Sequence, residues 1–119
     1  MKTLLNIVYI DDESDLLEMF ADLFSDEFTK IRTFSDPAPA IQEIASTLPD
    51  LVLIDYRLKG TTGDLVAKEI PGGITTVLIT GDLKFEPSPY FFRVVHKPYI
   101  SNEINELLDT VRAKKTSTL

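Results

Sequence analysis

The chain has 119 residues, which is the length of one domain. With 44% apolar and 26% charged residues, its composition is typical of a globular protein. The net charge of −7 argues against a general binder of nucleic acids or anionic membranes, because such binders present a basic face. The absence of cysteine excludes disulfides, thiolate metal sites and cysteine catalysis. No apolar run approaches the roughly 20 residues that span a bilayer, and acids follow Met1 too soon for a signal peptide. These features indicate a single cytoplasmic domain.

The first half of the chain alternates two predicted strands with two predicted helices. Residues 4–10 (LLNIVYI) are almost continuously apolar, as in a strand that is covered on both faces. A helix follows from Ser14, and either this residue or an acid before it can cap the first turn. The second strand, 28–34, contains two basic residues and is therefore placed at a sheet edge. Asp36 is predicted to cap a second helix that begins at Pro37.

The second half continues the alternation. Residues 51–54 are uniformly apolar and are predicted as a central strand. After a loop that contains glycine, Asp64 is predicted to cap a short helix at 65–70. Two more strands and a last helix are predicted at residues 74–79, 91–95 and 101–115.

Five strands that alternate with helices predict a three-layer, doubly wound α/β sandwich with a five-stranded parallel sheet. In the order 2-1-3-4-5, strands 1 and 3 are neighbours where the strand order reverses, and ligands bind at the carboxyl ends of strands at such a point. The single domain is expected to span residues 1–119, with its core at about 4–115 and a frayed tail at 116–119.

Charged and hydroxyl side chains stand at the ends of four of the predicted strands: Asp11 and Asp12, Asp55, Thr80 and Lys97. Three carboxylates this close repel one another unless a cation joins them. Carboxylate and water oxygens are the ligands that Mg²⁺ prefers. A carboxylate beside Mg²⁺, with a hydroxyl and an ammonium nearby, is suited to attack phosphorus and form an acyl phosphate.

These residues have separate expected roles. Asp55 is the expected nucleophile, because it follows the central strand directly. Asp12 is the expected direct metal ligand, whereas Asp11 ligates through water or holds the waters of the metal. The backbone carbonyl of Arg57 can complete the metal shell. The phosphoryl oxygens are expected to contact the residues that follow strands 4 and 5, namely Thr80, Gly81 and Lys97.

The chain resembles the receiver domain of two-component response regulators over roughly residues 4–115, and the chemotaxis-type receiver in particular. The matching segments are IDDE at 10–13, LIDY at 53–56, ITG at 79–81 and KPY at 97–99, together with Gly63. Each segment alone is a weak signal, but four in order, each ending a predicted strand, are specific. The resemblance implies a flavodoxin-like fold and Mg²⁺-dependent phosphorylation of Asp55 by a histidine kinase or a histidine phosphotransfer protein.

The resemblance also implies how the phosphorylated state acts. Thr80 moves toward the phosphoryl group, and the domain later hydrolyses its own acyl phosphate. The face built from the fourth helix, fifth strand and fifth helix then changes shape and signals to a separate protein. The protein is in this interpretation a cytoplasmic switch and not a conventional enzyme, with no direct nucleic-acid or membrane binding. The Lys97–Pro98 peptide bond is expected to be cis.

Three features depart from the family pattern. Lys59 stands where the family usually has proline, which concerns the shape of the loop and not the chemistry. Val94 stands where the family often has Tyr or Phe as a rotamer switch. Lys97 follows Thr80 by only 17 residues, and two prolines in between oppose a helix, so the fourth helix is expected to be truncated or missing. The aromatic residues of 85–91 then either fill the space of that helix or form a partner or self-association surface.

A few charged residues have more than one interpretation. The resemblance implies that the positions of Arg57 and Asp82 border the path of the attacking water. An ion pair between them could therefore act as a hydrolysis gate, or the two charges are simply solvated. Glu13 is either a third acid of the pocket or a helix N-terminal residue. His96 is interpreted as a strand-end residue, because a single histidine beside a lysine is a poor cation ligand.

The sequence favours a stand-alone receiver, since no effector domain follows residue 115. Two alternatives stay open: a receiver-like interaction module that is not phosphorylated, and a receiver excised from a longer multidomain protein. A small-molecule hydrolase of the aspartyl-phosphate type is disfavoured, because those enzymes place the nucleophile after the first strand and need a longer chain with a cap.

Overall fold

The computed structural model describes residues 2–82 and 88–117. In chain order the elements are β1 (Leu5–Ile10), α1 (Ser14–Phe24), β2 (Thr29–Phe34), α2 (Pro37–Thr47), β3 (Leu51–Asp55), β4 (Arg57–Leu58), β5 (Thr61–Thr62), α3 (Gly63–Ala67), β6 (Thr75–Thr80), β7 (Arg93–His96) and α4 (Ser101–Ser117). The longer strands form one parallel sheet in the order β2-β1-β3-β6-β7, while β4 and β5 pair as a small antiparallel hairpin. When the hairpin strands β4 and β5 are left out of the numbering, β6 and β7 become the fourth and fifth strands, and the order is the predicted 2-1-3-4-5.

Two cores hold the helices against the sheet. Side chains alternate between the faces of each strand, so one face of the sheet packs on α1 and α4 around Phe20 and Leu107. The other face packs on α2 and α3 around Ile44 and Val66. Every residue of β3 is buried, which explains why its segment of the sequence is uniformly apolar. The predicted three-layer sandwich, with β2 at an edge, is confirmed.

The starts of the helices follow the predictions in two cases and differ in a third. The side chain of Asp36 accepts the Ala38 N–H at 3.2 Å and caps α2, as expected. Glu13, an acid before Ser14, is the N-cap residue of α1, although its side chain makes no capping hydrogen bond.

The prediction that Asp64 caps the third helix is wrong. The cap residue is Thr62, and α3 is helical over Gly63–Ala67. The β4–β5 hairpin brings the chain in extended conformation up to Thr62, so the helical turn begins one residue before Asp64. Asp64 therefore lies within the first turn, and its buried Oδ1 atom has no hydrogen-bond partner.

No helix occurs among the described residues between β6 and β7, which are 81–82 and 88–92. The intervening residues, 83–87, lie outside the described part of the chain. This agrees with the prediction of a truncated or missing fourth helix. Phe91 packs against the α2/α3 core and so fills part of the space, as one alternative expected. Tyr90 and Phe92 stay on the surface, with 48% and 44% of their area exposed.

The C-terminal helix is anchored at the amino end of the sheet. Arg112 donates to the backbone oxygens of Thr3 (2.9 Å) and Phe28 (3.2 Å), and Lys115 donates to the backbone oxygen of Leu4 at 2.8 Å. These bonds accompany a helix that extends to Ser117, two residues into the segment expected to fray. None of the helices in the described residues is long and apolar enough to cross a membrane.

Candidate functional site

A polar pocket opens at the carboxyl ends of the parallel strands. It lies where the order reverses, because β1 and β3 are neighbours there and their connections run to opposite sides of the sheet. It is lined by Asp12, Glu13, Asp55, Arg57, Thr80, Gly81, Asp82 and Lys97. The structure thus brings together the strand-end residues that the sequence singled out.

The strand register brings three carboxylates together. Ile10 of β1 lies opposite Ile54 of β3, so the next residues along each strand, Asp11 and Asp55, emerge side by side. With Asp12, they offer carboxylate oxygens that all lie within 4.8 Å of one another. Oxygen donors at this spacing fit a hard divalent cation such as Mg²⁺, which takes carboxylate, carbonyl and water oxygens.

Lys97 forms ion pairs with three acids of the site. Its Nζ lies 2.8 Å from Glu13 Oε2, 3.0 Å from Asp11 Oδ2 and 3.4 Å from Asp55 Oδ1. Burial alone would lower the pKa of Lys97, but its hydrogen bonds to Glu13 and Asp11 and the charge of Asp55 outweigh burial and raise it. The Lys97 side chain therefore stays protonated at neutral pH. Glu13 combines both of its predicted alternatives, since it occupies the N-cap position of α1 and also lines the pocket as a further acid.

Asp11 is fully buried and already has donors on both carboxylate oxygens. Its Oδ1 accepts the backbone N–H of Glu13 at 3.0 Å, and its Oδ2 accepts the hydroxyl of Tyr9 at 2.9 Å in addition to Lys97. Asp12, by contrast, is exposed. The two neighbouring acids therefore differ in exposure: Asp12 is accessible to solvent, whereas Asp11 is buried and accepts hydrogen bonds from Tyr9 and Glu13.

Asp55 combines burial with access to the pocket. Only 6% of its surface is exposed. Burial and then the charge of Asp11 raise the pKa of Asp55 to about 6, although Lys97 acts in the opposite direction. A carboxylate with a raised pKa binds protons more tightly than usual, and a cation in the pocket would favour its ionised form.

The end of β6 presents a hydroxyl to the same pocket. Thr80 is 2% exposed, and its Oγ1 accepts the backbone N–H of Asp82 at 3.0 Å. Because that bond uses a lone pair, the hydroxyl proton is available to another acceptor. The Lys97 N–H donates to the Thr80 carbonyl oxygen at 2.8 Å, which fixes the two strand ends relative to each other. Gly81, Arg57 and Asp82 also line the pocket.

Gly63 allows α3 to approach the backbone of the site. A Cβ atom at this position would lie 2.6 Å from the Asp55 carbonyl oxygen and 3.0 Å from the Ile54 side chain. The Gly63 N–H donates to the Tyr56 carbonyl oxygen at 2.7 Å. The absence of a side chain here therefore allows the loop after Asp55 to close tightly under the pocket.

The remaining predicted features lie around this centre. The Lys97–Pro98 bond is cis, as expected. His96 is exposed at the end of β7 and does not line the pocket, in agreement with its interpretation as a strand-end residue. Val94, the position of the usual aromatic switch, is partly buried in β7.

Sequence reasoning missed the two tyrosines behind the acids. Tyr9 and Asp11 are two residues apart, so they lie on the same face of the strand, and this spacing was the available signal. Tyr99 follows the Lys97–Pro98 bond, and its hydroxyl lies 3.5 Å from that of Tyr9. No local pattern links residues so far apart in the chain.

Comparison with known proteins identifies relatives of this chain. The family model described as the response regulator receiver domain matches residues 7–84. The chain is 26% identical over 125 aligned residues to the nitrogen assimilation regulatory protein NtrX of Azorhizobium caulinodans, with 92% of this chain covered. It spans only 27% of the length of that relative.

Solved structures from two other organisms have the same fold. A response regulator receiver domain protein from Clostridium thermocellum superposes with a TM-score of 0.88 at 18% identity and covers 98% of this chain and 100% of that one. The response regulator TrrA of Thermotoga maritima, determined in complex with Mg²⁺ and BeF, has a TM-score of 0.80 at 23% identity over 91% of this chain and 99% of that one. At these identities the likeness shows the fold.

Proposed function

Because the chain belongs to the family of response regulator receiver domains, which are signalling domains, we propose that it is a switch controlled by phosphorylation of Asp55. The observation that carries the proposal is the position of this side chain. It ends the central strand, lines an open pocket, and has the Lys97 ammonium 3.4 Å away. The family match ends at residue 84, so the part played by Lys97 rests on this geometry.

Mg²⁺ is the proposed cofactor, which family membership and the three-carboxylate cluster both support. Asp12, Asp55 and the backbone carbonyl of Arg57 would hold it, and Asp11 would act on it through water. When bound, the cation supplies positive charge that offsets the negative charge on the phosphoryl oxygens.

The side chains of the chain itself then position the reacting groups. A carboxylate oxygen of Asp55 attacks phosphorus while the bond between phosphorus and the donor histidine nitrogen breaks. The leaving imidazole nitrogen keeps the electron pair of the broken bond, and no base is needed because the attacking carboxylate is already ionised. The Lys97 ammonium and the Thr80 hydroxyl donate to the phosphoryl oxygens, and Gly81 leaves room for them. The product is an acyl phosphate, which water later hydrolyses.

The proposed partners follow from this chemistry. The donor is a histidine kinase or a histidine phosphotransfer protein, since these carry phosphohistidine. The output is a protein contact with a separate downstream partner. A cytoplasmic location, which is typical of receiver domains, is part of the proposal.

The proposal predicts metal-dependent phosphorylation by a small phosphodonor. Acetyl phosphate with Mg²⁺ should phosphorylate the protein, and a chelator should abolish the reaction. The Asp12→Asn variant should need a much higher Mg²⁺ concentration, because it lacks the accessible carboxylate. Phosphate incorporation can be measured by intact-mass spectrometry. No incorporation into the parent protein would favour the alternative of a silent interaction module.

A second, finer proposal for this pocket concerns Arg57 and Asp82. Both line it, and we propose that together they form a gate that slows the entry of the hydrolytic water. The Asp82→Ala variant should then lose its phosphoryl group several-fold faster than the parent, measured as loss of the phosphorylated mass over time. Arg57→Ala should behave in the same way, and the double variant should add little to either. A lifetime of Asp82→Ala equal to that of the parent contradicts the gate.

A further inference from the structure

Tyr9 is a buried phenol beside the pocket that the proposed chemistry does not use. It is 0% exposed, and its hydroxyl donates to Asp11 Oδ2 at 2.9 Å. Its ring is held by an edge-to-face contact with Phe20, with the ring centroids 4.9 Å apart. Tyr99 stands behind it, with the two hydroxyl oxygens 3.5 Å apart, a long and weak contact.

The direction of these hydrogen bonds follows from the groups involved. A phenol has one proton, and the ionised carboxylate at 2.9 Å is a stronger acceptor than the hydroxyl at 3.5 Å. Tyr9 therefore donates to Asp11, and Tyr99 can donate to the oxygen of Tyr9. A phenol keeps its proton at neutral pH, so the Tyr9 hydroxyl is a donor.

Tyr9 and Lys97 share one acceptor atom. The Lys97 Nζ lies 3.0 Å from the same Oδ2 of Asp11, and it also lies 3.4 Å from Asp55 Oδ1, where the phosphoryl group would be attached. To serve that group, the ammonium must turn from Asp11 toward Asp55. A fully buried carboxylate oxygen left without a donor is strongly unfavourable. The Tyr9 hydroxyl keeps that oxygen satisfied after the ammonium has turned away.

We propose that Tyr9 is a positioning residue of the pocket, whose hydrogen bond to Asp11 releases Lys97 to bind the phosphoryl group on Asp55. This inference rests on the proposed function of the same pocket. It separates two steps. Asp12, Asp55 and the Arg57 carbonyl would hold the cation directly, and Asp11 would act on it only through water, so cation binding should depend little on the Tyr9 hydroxyl. Phosphoryl binding by Lys97 needs that hydroxyl. Without the hydroxyl, Lys97 is the only side-chain donor to Asp11 Oδ2 that remains among the described residues, and it is held there.

The test is a comparison of two affinities in the Tyr9→Phe variant, which removes only the hydroxyl. Titration calorimetry would measure the binding of Mg²⁺, and then of beryllofluoride, a mimic of the phosphoryl group, at saturating Mg²⁺. The Kd for Mg²⁺ should stay within about twofold of the parent value, and the Kd for beryllofluoride should rise about tenfold, as for the loss of one hydrogen bond to a charged group. Tyr90→Phe is the matched control, since this tyrosine is exposed, and should bind both as the parent does.

The outcomes separate this inference from the proposed function. If both affinities of Tyr9→Phe fall equally, Tyr9 is a structural residue only, and if neither changes, it has no part in positioning; either result overturns the inference. A parent protein that binds neither ligand overturns the proposed function itself. If circular dichroism shows that Tyr9→Phe is unfolded, Tyr99→Phe decides. Tyr99→Phe should raise the Kd for beryllofluoride about two- to threefold and leave the Kd for Mg²⁺ unchanged. If both Kd values equal those of the parent protein, the inference is overturned.

Discussion

At the scale of one residue, the ionised carboxylate of Asp55 lowers the stability of the folded protein. Burial and the charge of Asp11 raise its pKa to about 6 from the ordinary value of 3.8. The folded state therefore binds the proton of Asp55 more tightly than the unfolded chain does. The contribution of this group to the free energy of unfolding is fully present below about pH 4 and is lost as the pH rises through about 6.

The Asp55→Asn variant should therefore be more stable than the parent at neutral pH in the absence of divalent cations. The gain should be about 2–3 kcal/mol in the free energy of unfolding above pH 6 and should disappear near pH 4. Urea unfolding in the presence of a chelator at both pH values measures it. Asp22→Asn removes the same charge from an exposed position of α1 and should show no such gain. A parent as stable as Asp55→Asn near pH 7.5 would contradict the electrostatic account.

The residues of the site were predictable to the extent that each ends a strand. Asp11, Asp12 and Asp55 could be placed together because parallel strands bring their carboxyl ends to one edge. The pairing of Glu13 with Lys97 could not be predicted, because the two are 84 positions apart and meet only through the folded sheet. Asp64 was misassigned because a cap depends on where the preceding hairpin ends.

At the scale of elements, the close packing of α3 against β3 depends on a missing side chain. Gly63→Ala should destabilise the protein by about 1–3 kcal/mol, because the new Cβ would lie 2.6 Å from a backbone oxygen that cannot move without shifting Asp55. Gly72→Ala is the control, since nothing lies within 4 Å of a Cβ there, and should change stability by less than about 0.5 kcal/mol. Urea unfolding of both variants at neutral pH measures the difference. Equal stabilities would contradict the packing argument.

The order of the elements was largely predictable, because short apolar runs alternate with segments that have apolar residues at helical spacing. Right-handed crossovers leave few ways to arrange five parallel strands, and the observed sheet is the predicted one. The β4–β5 hairpin was not predicted, because strands of two residues carry no detectable periodicity. The lack of a helix in 81–82 and 88–92 was predictable because prolines oppose helix formation.

At the scale of the whole molecule, part of the net negative charge is concentrated at the pocket. Five of the 19 acids (Asp11, Asp12, Glu13, Asp55 and Asp82) lie at the pocket with two basic residues (Arg57 and Lys97), so acids outnumber bases there as they do in the whole chain, whose net charge is −7. Such a pocket attracts a divalent cation before it can accept an anionic phosphoryl group. The net charge alone could only exclude partners. The strand ends of the sequence predicted that three of the acids meet, and the fold brings these three together at one pocket.

The central claim is that Asp55 receives the phosphoryl group, and mass spectrometry tests it most directly. The parent protein and Asp55→Asn are treated with the same phosphodonor and Mg²⁺, their intact masses are compared, and the modified peptide is mapped. The account predicts that the parent gains the mass of one phosphoryl group on the peptide that contains Asp55, and that Asp55→Asn gains none. A phosphoryl group of equal yield in Asp55→Asn, or on another peptide of the parent, would contradict it.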